Sequence, residues 1–535
     1  MSSRSGLAFI KSRLAGTDWQ LLIFLTLFIN VKLAAKLAAI ILVYLWRPDS
    51  RFGLSFTNSR LPLFYVAAAV IALVNYFLLG GFTSLNYSVT VLTGLLFWLL
   101  CLLAMHQVKL SVERNDAAVI HRTLLVFFCI NALVSLATYA GIVMETGALN
   151  PYKYQGNYQK YFIGTGDYIK GISFDTSTTN AVLNSFAVLY CLLRNRFEWC
   201  LFFMCMLLLT GSNITNMLLC AVLLLLLFYR TSKAQKTIIG CCFALLLVFL
   251  VKVSPQNNGY ISAAYERVVK GKNDAPVAAV KEIPLMEKPA STLSEEEKKQ
   301  KIAIRYIDSL YVRHTAGNNE ASSAGNGLKT KPVLPQPNIH SAPYQHKDDM
   351  TSFQKSLVQF SEHEKIPLNT PGTLPGKAVA MMEVFSLFRQ HPLQLLTGTG
   401  MANFSSKLAF KVSCLKIAGG FPRRFQYIHP GFEKNHLALY IRYFTKSAGL
   451  HSLINKPDSV YAQLLSEYGL AGLAALFTFY WWFFARHYKR LSWGLPLIVF
   501  TMGLLFLEYW FEQLSVMTVF ELLLFLNIKE TAQPE

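Results

Sequence analysis

Eleven lysines and arginines fall between positions 376 and 456, opposed there only by Glu383 and Glu433, a local balance of +9. Cations at this density call for an anionic partner. Arg423 and Arg424 are adjacent, and the planar guanidinium donates paired hydrogen bonds to phosphate, so the two are candidates for a diphosphate clamp. Lys377 and Arg442 lie in the same segment. The competing reading is a solvated basic face resting near anionic lipid. His429, His436 and His451 are interspersed with these cations and are candidate bases for proton transfer, although a lone loop histidine is more often incidental. Elsewhere, Lys32 and Lys36 are four apart and share one helix face; they either snorkel to an interface or contact a phosphate. Glu467 falls two turns into an apolar helix, where a carboxylate needs a partner or a cavity, and it is a candidate for orienting the basic clamp. Glu508 and Glu512 flank an aromatic triplet and read as an interface marker rather than a sugar contact.

The elements that must position these groups are apolar. The chain has 535 residues, 53% of them hydrophobic and 15% charged, with a mean hydropathy of +0.36, which exceeds what a soluble core uses and excludes a water-soluble enzyme. A formal charge of +20 would suggest nucleic acid in a soluble protein. Here positive-inside topology and an anionic substrate are the competing explanations, and no nucleic-acid partner is expected. Eight of the nine cysteines lie in or beside apolar runs, leaving Cys414 in a polar segment, so neither a disulfide framework nor a zinc site is expected. Metal-ligand clusters, a P-loop and G-x-G-x-x-G are missing from the sequence, and neither a cofactor nor a metal is expected.

Apolar runs cover roughly 19–46, 62–80, 87–107, 122–144, 176–193, 197–211, 213–230, 236–252, 459–486, 491–509 and 512–528, and about 20 such residues cross a hydrocarbon layer of roughly 30 Å. The expected fold class is all-α, a polytopic membrane protein with about 11–12 transmembrane helices. Asn30, Lys32 and Lys36 interrupt the first run, predicting two short helices packed against protein. The basic residues before that run read as part of a membrane anchor rather than a cleaved signal. Basic loops around Arg47–Arg60, Lys109–Arg122, Arg194, Lys233 and Lys489 alternate with uncharged loops at 81–86 and 210–212, which assigns the basic loops to the cytoplasm. The alternation then puts residues 253–459 on the far side. The expected regions are an N-terminal transmembrane bundle over 1–252, a large loop over 253–459 and C-terminal transmembrane helices over 460–535. Within the loop, about 270–350 has the composition of a loosely ordered insertion. The part over 376–456 is basic and helical, its first helix ending at Pro392 and the glycine turn Gly398/Gly400.

The order of an apolar helix, HPLQLLTGTGMANF, a large outside loop and then PDSVYAQLLSEYGLAGLAALF entering a membrane helix resembles the O-antigen ligase and O-antigen polymerase superfamily. Its members are multi-span glycosyltransferases using undecaprenyl-diphosphate-linked glycans. The motif content is concentrated in 376–404 and 457–475, with weaker agreement in KGISFDTSTTNAVLNSFAVL, where Asn180 begins a span, and in LLTGSNITNMLLCAVLLLL. Lys377 stands where family members commonly carry an arginine, keeping the charge without the bidentate fork. The ligases have a His–Asn pair where this chain has Asp458–Ser459, so the ligase histidine is missing and a polymerase-like or divergent member is favoured.

The resemblance implies a bacterial inner-membrane enzyme, multi-pass with its large loop periplasmic. It would polymerise or ligate an undecaprenyl-diphosphate-linked oligosaccharide for O-antigen, lipopolysaccharide or exopolysaccharide synthesis. Its partners would be that glycan donor, a glycan or lipid A core acceptor and membrane lipid, with a chain-length regulator as a further candidate. The reaction would be metal-independent inverting transfer, with Lys377, Arg423, Arg424 and Arg442 on the diphosphate. Asp458 would stand near the acceptor, with His451 and Glu467 as further candidates in catalysis. Asp458 also sits where a helix N-cap belongs. The rivals are a lipid-linked oligosaccharide flippase or other transporter, against which the unequal numbers of spans on either side of the loop argue, and a non-catalytic membrane assembly protein.

Overall fold

The computed structural model describes residues 16–49, 61–147, 149–150, 169–229, 231–253, 359–360, 374–415, 417–445, 453–489 and 491–532. The chain divides into two units, Met1–Ser262 with His340–Glu535, and Ala263–Ile339. All described residues belong to the first, so the expected insertion over 270–350 lies outside them, as does His451.

Among the described residues the fold is helical without strands. The α-helices are α1 (Trp19–Phe28), α2 (Leu33–Trp46), α3 (Phe64–Leu78), α4 (Leu85–Arg114), α5 (Ala117–Thr146), α6 (Ser177–Leu193), α7 (Phe197–Leu209), α8 (Asn213–Phe228), α9 (Lys233–Val248), α10 (Gly376–Gln390), α11 (Lys407–Val412), α12 (Ala438–Thr445), α13 (Val460–Leu476), α14 (Gly494–Leu504), α15 (Trp510–Gln513) and α16 (Ser515–Ala532); two further single turns are Gln394–Thr397 and Trp482–Ala485. Among the described residues four stretches are long and apolar enough to cross a membrane: Leu85–Arg114, Ala117–Glu145, Lys233–Val253 and Val460–Ala485. Seven further apolar helices have 10–17 residues.

The first run forms two short helices, as its polar interruption predicts. Asp18 caps α1 by accepting the Leu21 amide at 3.1 Å. At the break, Asn30 accepts the Lys32 amide at 3.0 Å, and Val31 N–H donates to the Ser173 carbonyl at 2.8 Å. Lys36 Nζ reaches back 2.7 Å to the Phe28 carbonyl, satisfying one of the acceptors that a helix C-terminus leaves unpaired.

The core is aromatic where α3, α4 and α13 meet the C-terminal helices. Phe64 packs 4.9 Å from Phe511 and 5.7 Å from both Trp98 and Tyr480. Trp98 donates to Tyr468 Oη at 2.9 Å. The buried Glu521 carboxylate accepts from Tyr65 and Tyr480 at 2.5 and 3.0 Å, so its position inside the bundle is matched by donors.

Candidate functional site

The two sequence motifs, far apart in the chain, pack on each other. Within α13 Gly469 leaves the helical conformation (φ 65°, ψ −162°), and Gly398 adopts φ 84°, ψ −173°, a region open essentially to glycine alone. A Cβ on Gly469 would stand 2.4 Å from the Leu396 carbonyl oxygen, and one on Gly398 would stand 2.3 Å from the Glu467 carbonyl carbon. This close approach lets the Thr399 and Gly400 amides donate to the Ser466 and Glu467 carbonyls at 2.9 and 3.1 Å. The Glu467 carboxylate then accepts the amides of Ala402, Phe404 and Ser405 at 2.9, 3.3 and 2.9 Å. It holds the strap that leads into α11. Glu512 extends the same hold, accepting the Leu408 amide at 2.9 Å and Gln463 Nε2 at 2.8 Å.

Beside the strap lies a buried ionic cluster. Lys456 Nζ is 2.6 Å from Asp458 and 2.8 Å from Glu508, while Lys377 donates to the backbone carbonyls of Asp458 and Leu507. His436, fully buried, has Nε2 at 2.5 Å from Tyr509 Oη and 3.5 Å from Asp458. Tyr509 Oη also meets Ser405 Oγ at 3.1 Å. Burial acts to raise the Asp458 carboxyl, but Lys456 and His436 outweigh it and hold Asp458 below the usual carboxylate range. Burial acts to lower Lys456, and the two carboxylates hold it well above the usual lysine value. Burial pushes Lys377 down to about 8 against the pull of Asp458, and lowers His436 despite the same carboxylate. The N-cap of α13 is Ser459, without a side-chain capping bond. Asp458 turns Oδ2 to Lys456 instead, and its Oδ1 faces His436 at 3.5 Å without a hydrogen bond.

A cavity of about 470 Å³ opens where the α1–α2 break meets α11. Lys32 and Lys36 line one part of it and Lys407 and Lys411 another, with Asp175 and Glu512 also in its wall. None of the four lysines forms an ion pair with a described residue. Burial, and then Lys407 one turn away, lower the Lys411 ammonium. The N-terminus of α2 adds its positive dipole end to this wall, since its cap, Lys32, offers no side-chain acceptor. Gln513 both lines the cavity and donates to Glu508 at 3.3 Å, linking the cavity to the ionic cluster. Chemically, the cavity offers positive charge to an anion of phosphate or diphosphate size.

Lys377, Asp458 and Glu467 are thus brought into one buried region. Arg423 and Arg424 are exposed on the single turn Arg423–Phe425, with the Arg424 guanidinium 4.6 Å over the Phe425 ring, and neither lines the cavity. Arg442 is half-buried on α12 and also lies outside the cavity wall. Glu508 and Glu512, expected at an interface, are buried in the cluster and the cavity wall. Sequence reasoning did not single out Lys407 and Lys411, although they repeat the four-residue spacing of Lys32 and Lys36. Asp175 carried no local signal. Among the described residues no group of three or more His, Cys, Asp or Glu side chains could hold a metal ion. Comparisons with protein-family models, curated proteins and solved structures found no match to this chain.

Proposed function

We propose that the protein is a polytopic membrane glycosyltransferase that polymerises or ligates a glycan carried on undecaprenyl diphosphate, working on the periplasmic side of a bacterial inner membrane. The observation that carries this reading is the cavity with four lysines from two distant parts of the chain, none ion-paired to a described residue. In glycosyl transfer from a lipid diphosphate the leaving group is already activated, and the charge gathering on it is what the protein must stabilise. Fixed cations in a recess do so without reorganising at the moment of reaction. In this reading Lys36 and Lys407 contact the diphosphate, Lys32 and Lys411 widen the positive field, and the Glu467-anchored strap holds α11 in place. The ionic cluster of Lys377, Lys456, Asp458 and Glu508 fixes the entry of α13 rather than touching substrate.

The test is turnover by the purified full chain in nanodiscs, supplied with a synthetic undecaprenyl-diphosphate oligosaccharide and analysed by gel and mass spectrometry. A ladder of longer lipid-linked glycans marks a polymerase; consumption only with a lipid A core acceptor marks a ligase. The double substitution Lys36→Ala/Lys407→Ala is expected to abolish either product. Full activity in that variant would defeat the reading.

A further inference from the structure

A transferase of this kind needs a base for the acceptor hydroxyl, and the sequence offers Asp458, His429, His436 and His451 for that task. Asp458 is clamped by Lys456 and is not in the cavity wall, His429 and His436 are likewise outside it, and His451 lies outside the described residues. Among the described residues two carboxylates line the cavity, Asp175 and Glu512. They differ in what their oxygens are already doing. Glu512 has one oxygen on the Leu408 amide and the other on Gln463. Asp175 has Oδ2 on the Thr179 hydroxyl at 2.9 Å, and its Oδ1 bonds to no described residue. Asp175 is also half-exposed, whereas Glu512 is 8% exposed.

The segment that carries Asp175 is held from several sides. Ser173 O accepts the Val31 amide at 2.8 Å, tying it to the α1–α2 break beside Lys32. The Asn131 side chain accepts the Ile172 amide at 3.1 Å and donates to Asn180 Oδ1 at 2.8 Å, and Asn180 Nδ2 donates to the Ile169 carbonyl at 2.7 Å. Gly171, at φ 59°, sits where a Cβ would come 2.4 Å from Asn131 Oδ1. A carboxylate on such a frame meets its substrate without first being ordered.

We propose that Asp175 is the catalytic residue that takes the proton from the acceptor hydroxyl in the lysine-lined cavity. The inference rests on the glycosyltransferase reading given above. The acceptor oxygen forms a bond to the anomeric carbon while the bond from that carbon to the diphosphate oxygen breaks, its electron pair leaving with the diphosphate. The hydroxyl proton passes to Asp175 Oδ1 and from there to bulk water. The simpler role for Asp175, tightening the first turn of α6 through Thr179, is preserved in Asp175→Asn, whose amide oxygen still accepts from that hydroxyl.

The experiment compares wild type, Asp175→Asn, Asp175→Glu and Lys36→Ala/Lys407→Ala as full chains in nanodiscs. It measures affinity for undecaprenyl diphosphate and the rate of turnover of the synthetic lipid-linked oligosaccharide. Asp175→Asn is expected to bind undecaprenyl diphosphate at least as tightly as wild type while turnover falls by roughly 10²–10⁴-fold, the usual worth of a positioned base. Asp175→Glu should recover part of the rate. Turnover within about threefold of wild type in Asp175→Asn, with binding and turnover both lost in the lysine variant, would overturn the assignment and leave the glycosyltransferase reading standing. Loss of binding in Asp175→Asn in step with turnover would make it a structural residue, and also overturn the assignment. Wild type that binds nothing and turns over nothing would remove the reading and the inference together.

Discussion

The carboxylate of Glu467 accepts the backbone amide of Ser405 at 2.9 Å, joining the second turn of α13 to a strap that the sequence places far away. Three amides converge on this one side chain, so it acts as an anchor for the segment carrying Lys407 and Lys411. Glu467→Ala would strand those donors in a buried site, at a cost of about 1–3 kcal/mol for each one left unpaired. The expected outcome is a lower unfolding temperature in detergent together with weaker diphosphate binding. Glu467→Gln, which keeps an acceptor, should fall between. Wild-type stability in the alanine variant would remove the anchoring role.

Gly398 and Gly469 let two stretches of backbone touch. Gly469→Ala is expected to destabilise by about 1–3 kcal/mol from backbone strain alone, with a further loss from the collision. Gly420, which borders the cavity and has open space around its Cβ position, serves as the control: Gly420→Ala should leave the unfolding temperature nearly unchanged.

Lys456 neutralises two buried carboxylates, Asp458 and Glu508. Lys456→Met would leave both uncompensated, and removing one partner of a buried pair costs about 3–5 kcal/mol. Asp458→Asn should cost less, because Lys456 retains Glu508. If instead the asparagine variant is as stable as wild type and fails only in turnover, Asp458 has a direct chemical role and the cluster is not mainly structural.

The two lysines of the cluster should respond oppositely to alkali. Lys377, pushed down to about 8 by burial, binds its proton less readily folded than unfolded, so its burden on stability is relieved as pH rises from about 8 to the ordinary lysine value near 10.5. Lys456, held well above that value, contributes stability below 10.5 that is lost only as pH rises through its folded value. Unfolding temperatures measured between pH 8 and 10.5 should therefore show a more favourable trend in wild type than in Lys377→Met. Parallel profiles would contradict the burial of Lys377 as a charged group.

Much of the helical content was legible in the sequence because apolar runs and their polar interruptions are local signals. The break at Asn30–Lys32 separates α1 and α2, and Pro392 follows the end of α10 at Gln390. Lengths were less so: the expected span 122–144 is a helix from Ala117 to Thr146, since a charged flank does not end a helix that continues into solvent or headgroups. The partner of Asp458 was not legible, because its position before a helix suggests a cap, while the competing cation, Lys456, owes its own place to Glu508 some fifty residues on. The adjacent arginines drew attention by residue type, but the cavity is built by lysines from two segments that only the packed structure joins. Asp175 has no sequence signature because its significance comes from which oxygen is left unbonded.

Occupancy of the lysine-lined cavity by a lipid diphosphate can be read from the affinity of the full chain in nanodiscs for undecaprenyl diphosphate. Wild type should bind, more weakly as salt rises, and Lys36→Ala/Lys407→Ala should lose roughly tenfold or more in affinity, as expected for removal of charged hydrogen-bond donors. Arg423→Ala/Arg424→Ala, altering the exposed pair, should bind like wild type. Equal affinity in wild type and the lysine variant, or loss confined to the arginine variant, would contradict the account.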